Sequence, residues 1–219
     1  TTTGSITQAP NAAITAGGLG IEDASSVTLN STSNNVATLA ASGIAGSFIY
    51  IDLDALTVGS VNPSGITAAG AVDVSTQAGD LTISENVSGS SVVLSAGDLT
   101  AAGTATGGNV IVASGTTVSA STGNAIIYTG SIDDSTGVTS LVGSGSGNFR
   151  YNGDEATVYA GTGAIGATGL FAVYREQPVL QVTPDAVSSQ YGETPDLIGL
   201  TASYEGYVNG DTDAQVSGT

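Results

Sequence analysis

Short runs of β-branched and aliphatic residues recur between residues 20 and 145, separated from one another by Gly, Ser, Asn and Asp. The runs show no 3.6-residue periodicity, so the sequence favours an all-β chain of short strands. One series begins at residues 72, 92, 110 and 126, as Val72–Val74, Val92–Leu94, Val110–Val112 and Ile126–Tyr128. A second series lies between them at steps of 18 residues, as Leu81–Ile83, Leu99–Ala101 and Thr117–Ser119.

Two interleaved series with one common period predict a right-handed parallel β-helix, a solenoid of stacked coils. In such a fold each short strand pairs with its equivalent in the neighbouring coil, about 4.8 Å away. Roughly eight coils would form a rod about 40 Å long. The alternative is an array of β-sandwiches with strands every ~8–12 residues. Hairpin turns of the Asn-Gly type are rare before residue 150, and this favours the β-helix.

The balance of charge limits the partners that the chain can bind. Two Arg stand against 19 Asp and Glu, giving a net charge of −17. Such a surface repels nucleic acid and disfavours direct docking to anionic lipid. Cys, His and Lys are absent, which excludes thiol chemistry and any serine nucleophile that depends on a His or Lys base.

The sequence also bears on membrane insertion and on the origin of its first residue. No run approaches the ~18 apolar residues needed to span a bilayer, so we expect no direct membrane insertion. The start at Thr1 lacks the basic and apolar regions of a signal peptide. The chain also lacks an initiator Met, so we expect residue 1 to be a processed end or the edge of an excerpt, and the chain to be part of a larger protein.

Aromatic residues concentrate in the last third of the chain. Eight of the 11 aromatic residues lie from Phe149 onward. The end of a strand stack exposes unpaired strands and core, so a bulky layer is expected there. We predict an aromatic cap built from the segments Phe149–Asp154, Ala156–Tyr159 and Leu170–Tyr174.

Three motifs follow this region. They are Tyr174-Arg175-Glu176-Gln177-Pro178, then Tyr191-Gly192-Glu193 with Pro195, and then Gly206-Tyr207-Val208-Asn209-Gly210-Asp211. Together they resemble the junction of large secreted bacterial adhesins of the filamentous-haemagglutinin type, where a glycine-rich β-helix passes into an MBG repeat (mostly β, glycine-rich). The match covers about a fifth of the chain closely.

The resemblance implies three regions: parallel β-helix coils over 1–148, an aromatic cap and junction over 149–177, and the start of a β-sandwich-like MBG domain over 178–219. It implies an extracellular protein at the bacterial cell surface that gives reach and attachment, in adhesion and biofilm formation, and is not an enzyme. The implied partners are glycans or proteins of host or bacterial surfaces, or neighbouring copies of the chain.

Two other functions stay open. The region over 178–219 looks incomplete, and open strand edges are sticky, so the chain could be a filament subunit whose half-domain a neighbouring copy completes. A β-helix enzyme acting on polysaccharides is less favoured. It would need paired carboxylates. Asp52 and Asp54 lie two apart, at the end of the strand signal Phe48–Leu53 and just after it, which would place both on one face of an extended strand. The alternative for this pair is a solvated outward face beside Ile49, Ile51 and Leu53.

The remaining candidates are assigned structural roles, and we assign no catalytic, cofactor or metal residue. Gly161–Gly166 matches GxGxxG, but a β-like segment follows where a dinucleotide site needs a helix. Three pairs of adjacent acids are expected to lie in solvated turns, with calcium binding as the alternative. They are Glu22-Asp23, Asp133-Asp134 and Asp154-Glu155. Asp211 and Asp213 are expected to serve turn chemistry. Arg150 and Arg175 are expected to pair with carboxylates or stack on Tyr. Arg175, beside Glu176, is also expected to lock the β-helix to the domain that follows it.

Overall fold

A computed structural model describes residues 4–9, 12–159, 163–194 and 201–215 of the chain. The protein is mostly β, with 40% of residues in strands and 4% in helices, and its two large sheets are parallel. The prediction of an all-β chain is confirmed at this level.

Over the described residues, twenty strands and one short α-helix follow one another. The strands are β1 Ser5–Thr7, β2 Thr15–Ala16, β3 Leu19–Glu22, β4 Ser26–Leu29, β5 Asn35–Val36, β6 Thr38–Ile44, β7 Phe48–Asp52, β8 Leu56–Val58, β9 Ile66–Ala68, β10 Val72–Thr76, β11 Leu81–Ile83, β12 Val87–Gly89, β13 Val92–Ala96, β14 Val110–Val112, β15 Val118–Ala120, β16 Asn124–Thr129, β17 Phe149–Tyr151, β18 Gly169–Tyr174, β19 Gln181–Pro184 and β20 Ala202–Glu205. The helix α1 spans Val138–Val142, and a 3₁₀ turn spans Asp213–Gln215. Within the described ranges, no helix is long and apolar enough to cross a membrane.

The first sheet contains eight strands in the order β1-β4-β7-β10-β13-β16-β18-β17, and every neighbouring pair is parallel. The second sheet has the order β14-β11-β8-β6-β9-β12-β15, with β3 beside β6, and is also parallel. From β7 to β15 the chain therefore visits the first sheet, one half of the second sheet and then its other half, three times in succession. Parallel pairing of this kind suits strands that are covered on their inner face.

Equivalent side chains stack through the first sheet. The register aligns one column of buried residues in successive strands, namely Val27, Phe48, Val72, Val92 and Ala125. Each of these is at most 1% exposed, so the core runs continuously from strand to strand. Burying these side chains contributes to the stability of a fold that has no disulfide.

The predicted series of strands were partly wrong. Val110–Val112 is a strand, but it pairs with Leu81–Ile83 in the second sheet instead of following Val92–Leu94. Leu99–Ala101 forms no strand, and the Leu99 side chain is 74% exposed. The second half of the second sheet pairs Val118 with Val87. The reason is a long excursion between β13 and β14, which a parallel sheet tolerates because only the paired strands must stay in register.

The strand β7 turns the opposite face inward from the one predicted. Phe48, Tyr50 and Asp52 are buried, whereas Ile49 and Ile51 are half-buried on the outer face. Residues 48 and 50 are the two aromatic side chains of this strand, and they pair with the buried Val72 and Val74 of β10. Burying two rings removes more apolar surface from water than burying two isoleucines, which accounts for the choice of face.

Beyond the first sheet, β19 and β20 form a separate two-stranded antiparallel sheet. All four residues of β19 are exposed to solvent. A turn follows at Tyr191–Glu193, and Pro195, which belongs to the same sequence motif, lies outside the described residues.

Candidate functional site

The site with the most distinctive geometry lies where the first sheet ends and the β19–β20 segment begins. The two last strands, β18 and β17, place three aromatic side chains together at this edge. The rings of Tyr151 and Tyr174 stack at 5.8 Å between centroids, and Phe149 lies 6.4 Å from Tyr174. Phe149 lies beside the buried Ala172, and Tyr151 lies beside Tyr174, so aromatic side chains occupy the last two strands of this sheet.

A tight turn after β20 docks against these aromatics. Asn209 and Gly210 both have positive φ, and the amide of Asp211 donates to the carbonyl of Val208 at 2.9 Å, which is the geometry of a type I′ turn. The Asn209 side-chain oxygen accepts a hydrogen bond from Thr139 Oγ1 at 2.6 Å, and its Nδ2 donates to Tyr151 Oη at 3.2 Å.

The same turn is held through its backbone. The amide of Gly145 donates to the Asn209 carbonyl at 2.9 Å. The turn therefore joins the strand segment 202–205 to the helix α1, to the loop after it and to β17.

Asp211 completes the contact. Tyr151 Oη donates to Asp211 Oδ2 at 2.6 Å. Burial raises the pKa of Tyr151 well above its ordinary value, and the hydrogen bond to Asp211 raises it further. Burial also raises the pKa of Tyr174 to about 12, although side-chain hydrogen bonds with Thr139 and Asn209 oppose this. Both phenols thus stay protonated and act as neutral groups at physiological pH. Asp211 was predicted to serve the turn only, but it also binds Tyr151. Asp213 is exposed in the 3₁₀ turn.

A cavity of about 670 Å³ opens beside this turn. Its lining comes from β17, from the segment after β18 and from the 3₁₀ turn, and it includes Phe149, Arg150, Tyr151, Pro178, Leu180, Tyr207, Asp211 and Gln215. Asp211 Oδ1 and Tyr207 Oη are buried and have no hydrogen-bond partner among the described residues. Tyr207 also lines a neighbouring cavity on the side of α1.

Arg150 binds backbone carbonyls, not a carboxylate. It donates to the carbonyls of Gly147, Phe149, Gly163 and Ala164 at 2.5–3.0 Å, and its guanidinium lies 5.7 Å from the centroid of the Phe171 ring. The prediction of a carboxylate or Tyr partner was therefore wrong for this residue. Four carbonyls satisfy a guanidinium well, so Arg150 ties the loop over 163–164 to β17.

Arg175 is buried inside the parallel strands, and the predicted lock between regions was wrong. Its side chain is fully buried, and Nη2 donates to the carbonyls of Ala96 and of Gly108, the latter at 2.9 Å. Nη1 lies 3.9 Å from Glu155 Oε1. Burial lowers the pKa of Arg175, and the charge of Glu155 opposes this shift. Glu176 serves elsewhere, since its side chain accepts from the backbone amide of Ile132 at 2.6 Å.

Asp52 and Asp54 do not form a carboxylate pair. Asp52 is fully buried, and it accepts hydrogen bonds from Tyr50 Oη at 2.7 Å and from the amide of Val36 at 2.9 Å. Burial raises its pKa, against the opposing effect of the bond from Tyr50. The strand ends at Asp52, and Asp54 is exposed beyond it. A buried and an exposed carboxylate cannot act together on one sugar ring, so neither the catalytic arrangement nor the solvated face describes this pair.

Asn34 was missed from the sequence. It is fully buried, its Nδ2 donates to the carbonyls of Leu29 and Ile51, and its Oδ1 accepts from the amide of Ile14 at 3.0 Å. An Asn in a Ser- and Asn-rich segment carries no local mark of such a role.

The glycine-rich match and the adjacent acidic residues do not belong to this junction. Residues 161 and 162 of the glycine-rich match lie outside the described residues, and the next element after it is strand β18. Glu22, Asp23, Asp133 and Asp134 are exposed. In the part of the chain that the structure describes, no three His, Cys, Asp or Glu residues come together as a metal site would require.

Comparisons of the chain with protein-family models, with curated proteins and with solved structures found no match.

Proposed function

We propose that the parallel strands form a right-handed β-helix that serves as an extracellular structural and adhesive segment of a large bacterial surface protein. The observation that carries the proposal is the stacked register of the first sheet, in which one buried column passes through strand after strand. Repeated parallel strands of this kind build length from few residues, which suits a part that provides reach.

Three other features support this proposal. The surface is strongly acidic, which favours solubility at the cell exterior. Aromatic rings close the last strands, and the chain then continues into a second β segment, as it does in the adhesins that the three motifs resemble. The carboxylates considered for glycan cleavage are separated by burial, so a role without catalysis fits the geometry better.

Surface display tests the adhesive part of the proposal. The chain would be fused to an outer-membrane anchor on a bacterium that does not adhere, beside an acidic passenger of the same length and charge. We expect several-fold more cells to remain on glass and on epithelial monolayers after washing. Retention equal to that of the control passenger would contradict an adhesive role.

A filament subunit is the second candidate, favoured by the exposed β19. Among the residues that the structure describes, this strand pairs with β20 alone, and its Val182 is 51% exposed. Another copy could add a strand to an open edge of this sheet. Light scattering and electron microscopy should then show polymers that Val182→Lys abolishes and Val187→Lys, a control outside the strands, preserves. Monomers at all concentrations would remove this candidate.

A further inference from the structure

We propose that the cavity between β17 and the Asn209–Gly210 turn binds a neutral saccharide. This inference rests on the proposed attachment function, for which it names the class of ligand and the residues that hold it. The cavity volume of about 670 Å³ falls within the range of roughly 300–1,000 Å³ that is usual for small-molecule sites.

Unpartnered polar atoms point to a ligand that donates hydrogen bonds. Asp211 Oδ1 is buried without a partner among the described residues, while Oδ2 of the same carboxylate is occupied by Tyr151. A buried carboxylate oxygen without a donor is unfavourable, and a ligand hydroxyl would satisfy it. Tyr207 Oη is likewise buried and unpartnered, and it can donate or accept.

The charges around the cavity disfavour anions and metal ions. An anion would face the Asp211 carboxylate, and Arg150 could not clamp it because its guanidinium already donates to four backbone carbonyls. A metal ion would find a single carboxylate there and would lie near the positive charge of Arg150. A neutral molecule that carries hydroxyl groups meets neither obstacle.

The apolar part of the lining suits the carbon face of a sugar. Tyr151 and Tyr207 are the aromatic residues of the lining that are only partly buried, and Pro178 and Leu180 are among its aliphatic residues. A pyranose ring presents C–H groups on its faces and hydroxyls at its edges. It can therefore pack on these rings while its hydroxyls reach Asp211 and Tyr207.

Calorimetric or NMR titration of the purified full chain tests this directly. The probes are lactose, maltose and cellobiose, with 3′-sialyllactose as the anionic counterpart of lactose. We expect a Kd of about 1 mM or tighter for at least one neutral disaccharide, and weaker binding of sialyllactose than of lactose. No binding of any neutral probe at about 10 mM, or a preference for sialyllactose, would overturn the proposal.

Matched variants locate the site. Asp211→Asn should weaken binding about tenfold or more, whereas Asp213→Asn removes the same charge from an exposed residue outside the cavity and should change nothing. Tyr207→Phe should weaken binding several-fold, with Tyr204→Phe as its control. Tyr204 lies in β20 and does not line the cavity. Thermal unfolding of each variant checks the fold, and Tyr207→Phe keeps the test valid if Asp211→Asn loosens the turn. Undiminished binding in both cavity variants would overturn the proposed site.

The two proposals can fail separately. Displayed cells that attach although the purified chain binds no neutral disaccharide would remove the saccharide site and leave the adhesive function. Binding of a disaccharide without any gain in attachment would support the site and contradict the adhesive function.

Discussion

Arg175 brings a positive charge into a fully buried position between the ends of one long loop. Its guanidinium donates to Ala96, where β13 ends, and to Gly108, shortly before β14 begins. The excursion that broke the predicted 18-residue spacing is therefore closed by this side chain. Glu155 is the one carboxylate within ion-pair distance in the described part of the chain, and its side chain is 31% exposed.

Replacing Arg175 should cost far more than removing its ionic partner. Arg175→Ala leaves two buried carbonyls without donors and creates a cavity, so we expect the free energy of unfolding to fall by about 3–5 kcal/mol. Glu155→Gln should cost only about 1 kcal/mol, because solvent screens the pair on the Glu155 side. Urea unfolding measures both. Equal losses for the two variants would contradict the view that the carbonyl contacts dominate.

Asp52 should make stability depend on pH in the direction opposite to a salt-bridged acid. Its folded pKa is raised above 3.8, so between 3.8 and the folded pKa the native state binds more protons than the unfolded chain does. The contribution of Asp52 to stability therefore decreases as pH rises through this window.

Comparison of two Asn variants isolates this effect. The difference in unfolding free energy between the native chain and Asp52→Asn should decrease as pH rises from about 4. Asp54→Asn, which changes an exposed neighbour, provides the control for net charge. A difference that grows with pH would show that Asp52 is stabilised as an anion.

The Asn209–Gly210 turn acts as an element, because several contacts from α1, the following loop and β17 converge on it. Gly210 has φ of +75°, and a Cβ there would lie 2.0 Å from Ser144 Oγ. Gly192 also has positive φ, at +92°, but a Cβ there would meet nothing within 4 Å.

Substituting these two glycines separates docking from backbone strain. Gly210→Ala should increase hydrogen exchange over residues 144–151 and 204–211 together, because the turn can no longer sit against Ser144. Gly192→Ala carries a similar φ penalty and should leave exchange in both segments unchanged. Equal effects of the two variants would mean that strain alone, and not docking, controls this junction.

The local sequence predicts the strands, but it does not predict most contacts between residues that are distant in the sequence. Strands such as Val72–Thr76 and Val92–Ala96 follow from local composition, and both are present. Their pairing follows from the first series as well, since Val72 lies beside Val92. The partner of Val110–Val112 does not follow, because pairing depends on loop length, as the excursion after β13 shows. The burial of Asp52 and the docking of Asp211 on Tyr151 depend on contacts across folded space. Tyr151 and Asp211 lie 60 residues apart in the sequence.

The molecule as a whole is a stack of parallel strands whose core, aromatic end and following β segment are connected by side chains of the last strands. Tyr174 and Arg175 are neighbours in sequence, yet Tyr174 lies against the end aromatics and Arg175 reaches back to the β13–β14 loop. The register of this stack is what the proposed β-helix depends on. It specifies that Asp73 lies beside Val93, and Thr82 beside Ile111.

Disulfide cross-linking tests this register most directly, because the chain contains no cysteine of its own. Paired residues in adjacent strands lie about 4.8 Å apart, within disulfide reach. We expect the double variants Asp73→Cys/Val93→Cys and Thr82→Cys/Ile111→Cys to oxidise rapidly, and Val93→Cys/Ile111→Cys, which a uniform 18-residue period would pair, to remain reduced. Rapid cross-linking of the third pair with none in the first two would contradict the stacked arrangement.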